Sequence, residues 1–133
     1  MQLFNKPLIN DLSFALNVSS AKNRVIAENI ANIDTPFYKS KNIDFKKTME
    51  EYFSGGKRLP LLTTHERHIE RLHGGNNLIN IENRNSPSLR NDENDVNIDL
   101  EMYELSANGV LYSELSQLTG LQFTKLKSAI TGR

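Results

Sequence analysis

Two stretches of this sequence repeat their apolar residues at helical spacing, and the stretch between them does not. Near the start, Ile9, Leu12, Leu16, Ile26, Ile30 and Ile33 recur along one stripe, with Ser19 and Asn23 filling the same stripe. That spacing predicts a helix over about residues 7–33, because positions three and four apart share a face. Pro7 suits the first turn, where its missing N–H leaves no bond unmade. Asn32, Asp34 and Pro36 supply the stop, since Pro36 disfavours the α region for Thr35. Thr35-Pro36 is then expected to leave the helix in extended backbone.

The second periodic stretch predicts a helix over about residues 97–130. Alternating steps of four and three pick out Ile98, Met102, Leu105, Gly109, Tyr112, Ser116, Thr119, Phe123, Leu126 and Ile130. This is a heptad-like seam whose small members let a partner helix come close. Acidic residues precede Glu104, while Lys125, Lys127 and Arg133 come last, an order that complements the helix dipole. Gly132 stands where a C-terminal stop belongs. Asn108-Gly109 is also a turn dipeptide, the one place where the pattern admits a break. A second apolar line runs through Leu111, Leu115 and Leu118.

The fold class expected from this pattern is all-α, with two long terminal helices that one seam can pair as a hairpin, in a single domain spanning residues 1–133. Leu12, Leu16, Ile26 and Ile30 are expected to pack against Leu105, Tyr112, Phe123 and Leu126. The line of Leu111, Leu115 and Leu118 is then left to face another subunit. Residues 54–94 read as a largely irregular segment with the composition of a mobile loop. Within it, Thr63-Thr64-His65-Glu66 has a capping-box pattern and predicts a short helix through Ile69 and Leu72.

Composition narrows the function classes. Apolar residues make up 38% of the 133, and the 16 basic and 16 acidic side chains cancel. That is lean for an intrachain core and gives no electrostatic reason to bind nucleic acid. The chain has no Cys, which removes disulfides and thiolate metal sites. No stretch approaches the ~20 apolar residues of a spanning helix, so no direct membrane insertion is expected. The first residues show no pattern of a cleaved signal peptide.

Candidate chemistry is weak throughout. His65-Glu66-Arg67-His68 places its second histidine one residue early for a zinc-protease helix, and Arg67 adds a cation. Read as a calcium loop from Asp92, the chain puts Val96, Asn97 and Tyr103 where an oxygen ligand, Gly and Glu are required. Asp95 and Asp99 share a helix face, but nothing converges on them. No catalytic, cofactor-binding or metal residues are assigned, and an enzyme is not expected. Lys46-Lys47 and Lys57-Arg58 are too sparse for a nucleic-acid footprint.

One segment has a more specific pattern. Asn29, Ala31, Asn32, Thr35, Pro36, Tyr38 and Lys39 fall in the register N-x-A-N-x-x-T-P-x-Y-K. This resembles the motif of the flagellar rod and hook family. Asn42-Ile43-Asp44-Phe45, the N-D-V-x-x-D-x-E run from Asn94 to Glu101, and the ending from Leu121 to Gly132 are similar to further elements of that family. Phe37 stands where many members have Gly, which argues against a turn that needs a left-handed glycine there. The resemblance implies a structural subunit of the proximal rod, required for motility, whose two long terminal helices pair as an antiparallel coiled coil and pack into a hollow drive shaft between the MS ring and the distal rod and hook. It implies as partners other copies of itself, other rod proteins, MS-ring junction proteins and the flagellar type III export apparatus. It also implies a periplasmic location reached without a cleaved signal, and subunit packing through the motif residues. The rival class is a soluble helical adaptor or export chaperone using the same amphipathic helices.

Overall fold

The protein is described by a computed structural model over residues 6–54, 79–84, 87 and 91–132. Its elements in chain order are α1 (Lys6–Ala31), β1 (Lys41–Asn42), α2 (Phe45–Phe53), β2 (Glu82–Asn83) and α3 (Ile98–Thr131). The expectation of a mostly helical chain with two long terminal helices is met. The capping-box segment and His65, His68 and His73 lie outside the described residues.

The two long helices pair antiparallel. Ser19 of α1 bonds Asn108 of α3, and Lys22, further along α1, pairs with Glu104, earlier in α3. At 1.5 Å per residue the 34 residues of α3 extend about 50 Å. Asn97 caps its start by accepting the N–H groups of Asp99 and Leu100, and Gly132 ends it in the left-handed region at φ 69°.

Asn108-Gly109 does not interrupt α3, because Asn108 directs its side chain at α1 instead of at its own backbone. It accepts the Ser19 hydroxyl at 3.0 Å and donates to the Ser19 carbonyl at 2.8 Å and the Asn23 side chain at 2.7 Å. A turn would bury those groups unpaired.

α1 is the central element, with two working faces. One, through Leu12, Ser19 and Ile26, lies against α3. The other carries Phe14, Val18, Ala21 and Val25, which pack with Ile43, Phe45 and Ile79. α2 joins that second side, where Tyr52 stacks on Phe14 at 4.2 Å and donates its hydroxyl to Asp11. Neither α2 nor the second face was anticipated from the main stripe. α2 is built on Asp44, whose carboxylate accepts the Lys47 N–H as an N-cap. β1 and β2 pair antiparallel, Lys41 with Asn83 and Asn42 with Glu82, so residues 79–84 lie along the hairpin.

No helix among the described residues is long and apolar enough to cross a membrane. A Cβ built on Gly109 meets nothing within 4 Å, so α1 does not require a glycine there. Gly109→Ala should therefore raise the unfolding free energy of the isolated chain by about 1 kcal/mol, read from denaturant unfolding. A loss of stability would mean that space beside α3 is used within the chain.

Candidate functional site

The corner between α1 and β1 is built by the residues of the N-x-A-N-x-x-T-P-x-Y-K pattern. Asn32 closes the helix: its backbone N–H donates to Glu28 and Asn29 carbonyls, and its side-chain amide donates to Glu28 at 2.8 Å. Thr35 donates its N–H to the Asn32 carbonyl and its hydroxyl to the Asn32 side chain, and the Tyr38 N–H then donates to the Thr35 carbonyl. The exit is thus two consecutive tight turns, and extended backbone begins only after them. Pro36 restricts Thr35, but Asn32 holds both sides of Thr35 and folds the chain back.

Phe37 takes the left-handed region at φ 62°. The expectation that Phe37 argues against a left-handed turn is overturned, because the turn forms without glycine. It is held by the Phe37 N–H, which donates to the Asp92 carbonyl at 2.9 Å. Across from it Glu93 is also left-handed, at φ 56°, and its carbonyl accepts the Lys39 ammonium at 2.7 Å. For non-glycine residues this region costs about 1–2 kcal/mol, so both sides of the corner hold strained backbone against each other.

Asn29 is fully buried and clamps β1. Its amide donates to the Lys41 carbonyl at 2.8 Å, and its oxygen accepts the Lys41 N–H at 3.0 Å and the Tyr38 hydroxyl at 3.3 Å. A side-chain amide here imitates a strand partner. The opposite half of the corner comes from the run before α3. Asn94, also buried, donates to the carbonyls of Asn32, Ile33 and Thr35 at 2.9–3.0 Å, and its oxygen accepts the Val96 N–H. The Asn32 and Thr35 carbonyls also accept the Thr35 and Tyr38 N–H groups, so Asn94 adds a second bond to each of the two turns that follow α1. Asp95 accepts the Ser40 N–H. The two motif segments therefore fold against each other. Ala31 and Pro36 remain exposed.

A charge cluster lies beside the clamp. Glu101 has 0% of its side chain exposed and meets Arg84 Nη1 at 3.2 Å. Arg84 Nη2 meets Glu104 at 2.7 Å, and Lys22 pairs with the other Glu104 oxygen at 3.1 Å. Burial holds the Glu101 carboxyl above the usual carboxylate range. The Asn29 amide and the Arg84 and Lys22 charges oppose that rise, while Glu104 adds to it. Tyr38 is raised too, chiefly by burial. Arg84 was not singled out from sequence, and Asn94 and Asn108 stood out only as the start of a patterned run and as half of a turn dipeptide, because each acts through a partner distant in the chain. Among the described residues, no group of His, Asp and Glu is placed to hold a metal ion.

The faces of α3 differ from the expected division. On α1, Leu12 and Ile26 are buried and Leu16 and Ile30 half-buried; on α3, Leu105 and Leu126 are half-buried. Tyr112 and Phe123, assigned to the intrachain pair, are 43% and 56% exposed. Leu111 and Leu115, assigned to another subunit, are half-buried on the stripe of Glu101, Glu104 and Asn108. The register set by Ser19 and Asn108 brings them level with Leu16 and Leu12. Of the second line, only Leu118 is exposed. The reason is physical: α3 is apolar around most of its girth, so apolar spacing does not select its inward face. The polar partners of α1 and Arg84 select it.

Two exposed apolar stripes remain on α3. One carries Ile98, Met102, Tyr112, Phe123 and Ile130, and the other Leu100, Tyr103, Val110, Leu118 and Leu121.

Two outcomes test this geometry. Asn29→Ala leaves the Lys41 N–H and carbonyl without their partners and should lower stability by at least about 2 kcal/mol, measured by denaturant unfolding. The second concerns pH. A raised folded value for Glu101 means that the folded chain holds this proton more tightly than the unfolded chain. Its contribution is then most favourable below the unfolded value and is lost as pH rises through the folded one. Wild-type stability should carry this loss above the ordinary carboxylate value, and Glu101→Gln should flatten the slope in urea unfolding across a pH series. Parallel slopes would remove Glu101 as the source.

No protein-family model matches the chain. Curated relatives do. It is 35% identical over 132 residues to the flagellar basal body rod protein FlgB of Bacillus subtilis, covering 99% of this chain and 98% of the relative. It is 35% identical over 102 residues to that of Proteus mirabilis, covering 74% of each. It is 29% identical to that of Salmonella typhimurium, covering 89% of this chain and 88% of the relative. With the corner motif, the segment that locks onto it and an antiparallel pair of long helices in place, the chain belongs to the FlgB family of flagellar basal body rod proteins.

Proposed function

We propose that this chain is a structural subunit of the proximal flagellar rod, with no catalytic role, and that its helices pack into the hollow shaft between the MS ring and the distal rod and hook. The observation that carries the reading is the surface of α3 in a member of the FlgB family. Ten large apolar side chains stand exposed along its two open stripes. A helix apolar on nearly every side belongs in an enclosed setting, and α1 covers only one side of it.

The subunit's own register comes from α1, the corner and Arg84. Neighbouring copies and other rod proteins cover the two stripes, in place of Leu111 and Leu115. Burying a Leu is worth about 1.5–3 kcal/mol, so repeated contacts along α3 make a torque-bearing wall from subunits that are separately weak. In this reading the chain acts in the periplasmic part of the basal body, meets MS-ring junction proteins, and leaves the cell through the flagellar export apparatus without a cleaved signal.

Leu118→Glu places a charge on an open stripe without touching the α1 side. It should leave the isolated chain folded and exported, yet abolish the rod above an intact MS ring in cryo-tomograms of the source bacterium. Leu115→Glu, on the α1 side, should instead lose helicity in the isolated chain. Normal rods with Leu118→Glu would sink the assignment of faces.

A further inference from the structure

We propose that Phe37 is an anchor that inserts into the C-terminal third of α3 on a second copy of this chain. This rests on the rod reading and adds the contact that joins one subunit to the next. Phe37 occupies the left-handed region at φ 62° with its side chain 69% exposed. A bulky residue there is strained, and an exposed ring recovers little of that strain inside its own chain. Strain held at a surface points to a contact made elsewhere. The Phe37 N–H to Asp92 bond fixes the backbone, so the ring projects from the corner in a set direction.

Charge identifies the occupant. The corner side is net acidic: Asp34, Asp92, Glu93, Asp95 and Asp99 outnumber Lys39 and Lys41, and Lys39 is held on the Glu93 carbonyl. At the other end of α3, after Glu114, the charged residues described are Lys125 and Lys127, and on either side of them Phe123 and Ile130 stand exposed. Acidic and aromatic at one end, basic and apolar at the other, two copies are complementary when the corner of one meets the tail of the next. Such a contact is heterologous and does not close on itself, which generates a filament or helical tube. Within one chain the two patches lie about 40 Å apart along α3, so they cannot meet.

Two measurements test this. With a photo-crosslinking phenylalanine analogue at position 123, purified basal bodies should yield a dimer of this chain, joined to residues 36–38 of the second copy. Phe37→Gly should raise the Tm of the isolated chain by about 2–6 °C, because glycine takes this φ without strain. The same substitution should cut swimming by about tenfold or more, as loss of an interface anchor does, and remove the crosslinked dimer. An adduct to another protein, or to another part of this chain, overturns the inference and leaves the rod reading standing. So does full motility with Phe37→Gly. A wild-type chain absent from basal bodies overturns both.

Discussion

The long helices meet across a row of polar side chains, and everything else in the structure is indexed to that row. Ser19 and Asn23 face Asn108, and Lys22 faces Glu104, which shares Arg84 with Glu101. Shifting α3 by one turn would leave Ser19, Asn108 and Glu101 buried without their partners, at about 1–3 kcal/mol apiece. An apolar seam would tolerate such a shift far better, since Leu against Leu looks much alike one turn away. Polar matching therefore fixes the register, the register fixes the inward face of α3, and the inward face decides which apolar stripes are left outside. The arrangement resembles the use of a buried Asn to set alignment in coiled coils.

This explains what the sequence revealed and what it withheld. The two long helices were legible from spacing and end signals, with Gly132 terminating α3 and Asn32 closing α1. Both halves of the corner were legible as patterned segments. Their mutual contact was not, because Asn94 reaches Asn32 across 62 residues and Asp95 reaches Ser40 across 55. The inward face of α3 was not legible, because Tyr112, Phe123, Leu111 and Leu115 are all largely apolar and periodicity does not divide them between faces. α2 could have been found: Asp44 is a good N-cap, and Phe45, Met49 and Tyr52 follow at helical spacing. The second face of α1 also has regular steps, through Phe14, Val18, Ala21 and Val25. The left-handed Phe37 went against local preference, since tertiary bonds to residues 92–93 impose it.

The distribution of polarity suits a subunit more than a free-standing globule. Asn29, Asn94, Asn108 and Glu101 are buried, while Tyr103, Val110, Leu121 and Ile130 are exposed. Inside the chain, hydrogen bonds and ion pairs define one alignment but add little net stability, because their gains are offset by desolvation. Outside it, apolar surface supplies the gain that burial by neighbours would realise. Specificity is thus placed within the monomer, and cohesion is deferred to the assembly.

The two-residue ladder between β1 and β2 has a consequence for how such a chain can grow. Lys41 pairs with Asn83 and Asn42 with Glu82, so the two strands bring the chain on either side of α2, itself packed on α1, together at one narrow neck. Arg84 and the Asn29 clamp fasten that neck to α3 and α1 respectively. Sequence inserted between two ends that are already joined costs little, about 0.6 kcal/mol for each doubling of loop length. Extra sequence, even an entire outer module, could be accommodated there without moving a helix. A short member and a long one could then share the same wall position and differ only in what they hold away from it.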